Sequence, residues 1–235
     1  MLILASNSPR RRQLLRLGGW DFLISPAEVD EQSIPGESPA EYVSRLAEKK
    51  TQAALCHLGS QKPQGDLVVG ADTAVVIPHS DENDSRNAGF EILGKPSDAH
   101  DAEYMLRRLR GRTHQVCTAI AVYRPLDGRL QSAIQVTEVS MRHYSDSEIQ
   151  AYISSGDPMD KAGAYAIQHA AFQPVQEVKG CYANVMGLPV CRLRRLLAEL
   201  DVYPGIEFTD GCEENSTNPC QIFRQALLAD PEGHS

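Results

Sequence analysis

No run of apolar residues in this sequence approaches the length needed to cross a bilayer, so a membrane-spanning helix is not expected. Only four apolar residues follow Met1 before the polar stretch SNSPRRR, too few for a secretory leader, and a cytoplasmic protein is expected. Aromatic residues make up 6% of the chain and no basic stripe accompanies them, which leaves little on which nucleic-acid bases could stack. The six cysteines lack CxxC spacing, so neither a zinc site nor a disulfide framework is expected, and the thiols read as small packing residues. No internal repeat is visible.

Acids outnumber bases, and the excess is unevenly spread. The formal net charge is −8, and residues 201–235 hold seven acids against Arg224, leaving only −2 for residues 1–200. A nearly neutral body with local basic spots suits a focused site for a small anion better than a broad nucleic-acid surface.

The first such spot is ASNSPRRRQLL, residues 5–15. Three consecutive arginines at a helix start oppose the backbone dipole, which favours acids there. Ser8 can cap the helix, Pro9 suits its first position, and Leu14, Leu15 and Leu17 form its apolar side before Gly18-Gly19. With MLILA before it as a buried strand, the segment reads either as an anion cradle carrying Ser6, Ser8, Arg10 and Arg11, or as a solvated basic face.

A second helix is expected from Pro39 under a Ser38 cap. Its apolar residues Tyr42, Val43, Leu46, Ala47, Ala53 and Ala54 keep the helical period, and Lys50 falls near the middle of their face. A lysine there either snorkels over the core edge or serves an anion pocket. The run DLVVGADTAVVIP, residues 66–78, predicts a strand buried on both faces, and Asp72 interrupts it. An ionised carboxylate in that setting must meet a cation, a metal or a solvent-filled cleft. A structural salt bridge and a functional acid both satisfy the condition.

Further along, residues 79–90 lack periodicity, and 91–93 predict a short strand. Ser97 is expected to cap a helix with Ala102, Met105, Leu106 and Leu109 inward. Strands at about 113–123 and 129–142 flank the turn signal PLDG, and Ser145 with Glu148 predicts a capping box. GDPMDKAGAYAIQ reads as a turn followed by a strand, a further strand is expected near 174–178, and a last helix from Pro189. The polar tail contains Asn218-Pro219, a start signal for a short helix. The order of elements predicts an α/β fold on a mixed sheet.

Taken together, ASNSPRR, VDE, RLAxxK, GADT, GKPSD, DKAGAYAIQ and VMGLP, in this order, resemble the Maf family of nucleoside triphosphate pyrophosphatases over roughly residues 1–200. The resemblance implies an α/β fold with an extended mixed sheet, flanking helices and a cleft between two lobes, shared with inosine triphosphate pyrophosphatases. Residues 1–200 would form that domain, with 201–235 an acidic, partly flexible extension. It also implies hydrolysis of the α–β phosphoanhydride bond with a divalent metal, Mg²⁺ or alternatively Mn²⁺ or Co²⁺. Ser8, Arg10 and Arg11 would cradle phosphate, Lys50 and Lys95 would face it, and Glu31 and Asp72 would be acidic site residues and metal ligands, Asp72 being the proton acceptor. Asp160 and Lys161 align with site positions, although a charged pair beside a turn can equally be structural. Arg10, Thr73 and Gln168 resemble the subgroup acting on dTTP and UTP. The alternatives are a 7-methyl-GTP pyrophosphatase of the same family and a non-enzymatic nucleotide-sensing regulator of septum formation. The expected partner is a nucleoside triphosphate, with neither nucleic acid nor membrane; a homodimer is allowed.

Overall fold

The computed structural model describes residues 1–26, 28–58, 66–78 and 89–204. Most of the 79–90 excursion, Cys212, Cys220 and the helix expected at Asn218-Pro219 lie outside the described residues. The fold is α/β. Its strands are β1 (Leu2–Leu4), β2 (Phe22–Ile24), β3 (Leu67–Pro78), β4 (Phe90–Leu93), β5 (Thr113–Arg124), β6 (Arg129–Met141) and β7 (Val175–Lys179). The helices are α1 (Pro9–Leu17), α2 (Pro39–Leu58), α3 (Ala99–Leu109), α4 (Asp146–Ser154), α5 (Tyr182–Val185) and α6 (Val190–Ala198). The described strands form one seven-stranded sheet of order β2-β1-β3-β5-β6-β7, with β4 paired to β3. The β1–β2 and β1–β3 pairs are parallel, whereas β3–β4 and β6–β7 are antiparallel, so the sheet is mixed as expected.

The chain divides into two compact units. Among the described residues the first takes Met1–Thr73, Thr118–Gln135 and 181–204. Here α1 begins as the sequence predicts: Ser8 is the cap, accepting from the Arg11 amide, and Pro9 takes the first turn. Leu14 and Leu15 are fully buried, each contributing about 1.5–3 kcal/mol through the water it sheds. The helix α2 starts with a reciprocal pair in which Ser38 Oγ accepts from the Glu41 amide and the Glu41 carboxylate accepts from the Ser38 amide. Its inner face of Val43, Leu46, Ala47, Thr51 and Ala54 is buried.

The position where α2 meets β3 is set by Gly70. A Cβ built there would lie 2.2 Å from Thr51 Oγ1 and 2.4 Å from the Ala47 carbonyl oxygen, so only hydrogen fits between strand and helix. The backbones can approach this closely because Gly70 has no side chain, and alternation along β3 puts Asp72 on the same face two residues on.

The second unit takes Ala74–Cys117 and Val136–Gly180. The β4 strand pairs with the end of β3, Leu93 opposite Val75, and α3 buries Ala102, Met105, Leu106 and Leu109 as expected. Its cap is Asp98, not Ser97. Asp98 is extended at φ −158° and its carboxylate accepts from the Asp101 amide at 2.8 Å, while Ser97 sits one residue too early and is itself held by Asp101. The capping box of Ser145 and Glu148 on α4 is present. Tyr152 stacks on Phe172 with centroids 4.4 Å apart, and the Tyr144 hydroxyl donates to the Leu106 carbonyl at 2.7 Å, which gives this unit an aromatic core with its polar tips satisfied.

The strand expected in the second part of GDPMDKAGAYAIQ is absent. Two short 3₁₀ turns, Asp157–Asp160 and Ala162–Ala164, are followed by irregular backbone and a turn, and Gly163 and Ala164 adopt left-handed φ of 69° and 57°. Extended backbone cannot pass through those dihedrals. The Gly163 amide donates to the Gly94 carbonyl at 2.9 Å, and a Cβ on Gly163 would come 2.9 Å from Val75, so close packing on β3 fixes the bend.

Candidate active site

Lys50 Nζ lies 2.5 Å from Asp72 Oδ1 and 2.6 Å from Glu31 Oε1. One ammonium thus draws together an acid from the centre of a buried strand and an acid from a loop. Asp72 is 6% and Lys50 9% exposed, whereas the Glu31 side chain is 43% exposed, so the cluster runs from core to surface. The sequence placed Lys50 on the apolar face of its helix, and Gly70 explains the result: α2 sits so close to β3 that its buried lysine reaches the strand's one acid.

The loop bearing Glu31 is held from α2. Tyr42 donates its hydroxyl to the Glu31 carbonyl at 3.0 Å, and Arg45 grips Glu37 through two bonds of 2.6 and 2.7 Å while also donating to the Gln32 carbonyl. Burial, then the negative charges of Asp72 and Glu31, push the Tyr42 hydroxyl up to about 12. Burial likewise raises Asp72 above the usual carboxylate range, an effect that Lys50 and Arg11 oppose without cancelling and Glu31 reinforces.

Arg11 turns inward from the first turn of α1. Its Nε donates to the Gly187 carbonyl at 2.9 Å, Nη2 to Thr73 Oγ1 at 3.2 Å and Nη1 to Ser6 Oγ at 3.4 Å. Thr73 in turn contacts Thr118 Oγ1 at 3.0 Å, and Thr118 donates to the Asn184 carbonyl at 3.1 Å. Gly187 adopts φ +98°, and a Cβ there would approach Thr73 Oγ1 to 3.2 Å and Arg11 Nε to 3.4 Å. Burial pulls the Arg11 guanidinium below its ordinary value against the opposing charge of Asp72, yet an arginine begins so far above neutrality that it stays charged.

The first unit therefore gathers Ser8, Arg11, Glu31, Lys50, Asp72 and Thr73, with Arg10 half-buried beside Arg11 on α1. Lys95, Asp160, Lys161 and Gln168 belong to the second unit. Lys95 is exposed in the turn before Pro96, and Gln168 is half-buried after the second 3₁₀ turn. Lys161 is buried, and its three N–H groups meet the Asp157 carbonyl at 2.5 Å, Asp157 Oδ1 at 2.9 Å and Asp160 Oδ1 at 2.7 Å. Tyr152 donates to the other Asp157 oxygen at 2.6 Å. Although burial works to raise Asp157, the bonds from Tyr152 and Lys161 prevail and hold it below the usual range.

Sequence reasoning did not single out Tyr42 and Arg45 as supports of the Glu31 loop, nor Gly70, Thr118 and Gly187. Each acts through a contact distant in sequence. The signal available was a glycine within the apolar run of β3 and another in VMGLP, since glycine inside such elements often marks a close backbone approach.

Asp72 and Glu31 both contact the one Lys50 ammonium, so two hard oxygen donors face the same point. Among the described residues no group of three or more His, Cys, Asp or Glu side chains could hold a metal ion. A pair of acids fits Mg²⁺, which takes one or two carboxylates and completes its shell with water and substrate phosphates.

The chain is 42% identical over 193 residues to a dTTP/UTP pyrophosphatase of Geobacter sp. (strain M21), covering 82% of this chain and 91% of the relative. It is 45% identical over 198 residues to a dTTP/UTP pyrophosphatase of Anaeromyxobacter dehalogenans (strain 2CP-1 / ATCC BAA-258), covering 83% and 92%. A dTTP/UTP pyrophosphatase of Symbiobacterium thermophilum is 44% identical over 203 residues, covering 86% and 95%. The family model described as Maf-like protein matches residues 1–200. With that span matched and these identities sustained over most of its length, the chain belongs to the Maf-like protein family.

Proposed function

We propose that this protein is a nucleoside triphosphate pyrophosphatase that hydrolyses dTTP and UTP to the monophosphate and pyrophosphate. The observation that carries the reading is the buried Asp72 held with Glu31 on the Lys50 ammonium. Family membership and the relatives named for dTTP and UTP supply the substrate class.

Water attacks the α-phosphorus, the bond from that phosphorus to the oxygen bridging to the β-phosphate breaks, and pyrophosphate leaves. Asp72 accepts the water's proton, a task suited to a carboxylate whose burial raises its proton affinity. Lys50 holds Asp72 in place, and Arg11 with the α1 amides faces the phosphate charge. Asp72 and Glu31 would hold a divalent cation, which supplies charge neutralisation and makes water easier to deprotonate. Gln168 offers both a donor and an acceptor, the pattern that matches N3–H and a carbonyl of a pyrimidine.

The test is pyrophosphate release from a panel of purine and pyrimidine triphosphates with Mg²⁺ and with EDTA. Release from dTTP and UTP in preference to purines, abolished by EDTA, is expected. Release of orthophosphate alone, or of nothing from any triphosphate, would defeat the proposal.

A further inference from the structure

We propose that Thr118 is a positioning residue: through a one-way hydrogen-bond chain it fixes Thr73, which fixes Arg11 for the triphosphate. The proposal rests on the pyrophosphatase reading for its kinetic consequence, but not for the chain itself.

The direction of the chain follows from counting protons. A threonine hydroxyl has one proton to donate, a backbone carbonyl none, and a guanidinium only donors. Thr118 donates to the Asn184 carbonyl at 3.1 Å, so its single proton is committed. In the 3.0 Å contact between the two hydroxyls, Thr73 must therefore be the donor. With its proton spent, Thr73 can meet Arg11 Nη2 at 3.2 Å only as acceptor, as an arginine requires. The order is fixed from end to end: Arg11 to Thr73, Thr73 to Thr118, Thr118 to the Asn184 carbonyl.

Two consequences follow. While the chain is intact Thr73 has no proton for a phosphate or a base carbonyl, so it acts on substrate through Arg11 and not by donation. Arg11 uses three of the five N–H groups that a guanidinium carries on Gly187, Ser6 and Thr73, which leaves one on each terminal nitrogen for an anion. Thr118 is fully buried, so no water competes for its hydroxyl, and the Gly187 carbonyl holds Arg11 Nε at 2.9 Å on the same side of the chain.

The experiment compares Thr118→Val, which keeps the shape and deletes the hydroxyl, with Thr118→Ser, which keeps the hydroxyl. The first readout is proton exchange at Arg11 Nε–H, followed by NMR in the unliganded full chain. The second is steady-state pyrophosphate release from dTTP. Thr118→Val is expected to speed exchange and to lower kcat/KM about tenfold, carried by KM, as loss of one buried hydrogen bond implies. Thr118→Ser should stay within about twofold of wild type in both. Unchanged exchange in Thr118→Val, faster exchange with unchanged kinetics, or equal losses in both variants would overturn the proposal. If Thr118→Val does not fold, the wild-type protein decides: slowly exchanging hydroxyl protons on both Thr73 and Thr118 support the chain, and their rapid exchange refutes it. A wild-type protein that releases no pyrophosphate would defeat the hydrolase reading alone, since Arg11 exchange still reports whether Thr118 holds it.

Discussion

Lys50 Nζ stands 2.5 Å from Asp72 Oδ1, a buried helix lysine against a buried strand aspartate, joined across the close approach that Gly70 permits. This pair links the core of the first unit to the proposed chemistry, because the same burial that makes the carboxylate costly also raises its proton affinity.

Asp72→Asn keeps the size of the side chain but can neither accept a proton nor bind a cation as a carboxylate does. Pyrophosphate release is expected to fall by about 10²–10⁴-fold, the usual worth of a positioned general base, with the circular dichroism spectrum unchanged. A variant retaining most of the wild-type rate would remove Asp72 from the mechanism.

The raised proton affinity of Asp72 also predicts how stability varies with pH. Burial is its largest cause, and it lifts the folded-state value above the 3.8 of an ordinary aspartate. Below that ordinary value the group is protonated in both folded and unfolded chains and imposes no penalty. As pH rises toward the folded value the unfolded chain ionises first, so this contribution to stability is lost. The Tm of Asp72→Asn relative to wild type should therefore rise between pH 4 and pH 7, measured by calorimetry. A difference that stays flat or falls across that range would contradict the raised value.

Gly70→Ala would drive a methyl group into Thr51 Oγ1 and the Ala47 carbonyl. The backbone oxygen cannot rotate away, so α2 must shift from β3. A destabilisation of about 1–3 kcal/mol is expected from overpacking, seen in urea unfolding. Because the shift also separates Lys50 from Asp72, activity per folded molecule should drop as well. Full activity in the folded fraction would show that the pair tolerates the displacement.

Gln168→Glu replaces a donor and acceptor with an acceptor alone. If the amide reads the pyrimidine edge, kcat/KM for dTTP and UTP should fall roughly ten- to a hundredfold while purine triphosphates and the metal requirement are unaffected. Equal losses on all nucleotides would indicate general damage, and unchanged kinetics would mean that Gln168 does not face the base.

The sequence by itself determined the elements whose signals are local. Ser8-Pro9, the Ser38–Glu41 pair and the Ser145–Glu148 box act within one helical turn, and each starts the helix expected of it. The apolar run of β3 and the helical period of α2 likewise required no distant partner to be read. They were enough to mark Asp72 and Lys50 as anomalies, since a charge on an apolar face is visible without knowing what it meets.

Tertiary structure decided the partners. That Asp72 meets Lys50 depends on the absence of a Cβ at Gly70, and that Glu31 joins them depends on Tyr42 and Arg45 holding its loop. The second part of GDPMDKAGAYAIQ reads as a strand with small residues, but packing against Val75 and a bond to Gly94 hold Gly163 and Ala164 in left-handed dihedrals instead. Arg11 is legible as a helix-start cation, whereas its anchors on Gly187 and Thr73 and the Thr73–Thr118 chain arise from segments far apart in sequence. Local propensity acts over a turn or a strand pair; hydrogen-bond direction and close packing depend on atoms that only the folded chain brings within reach.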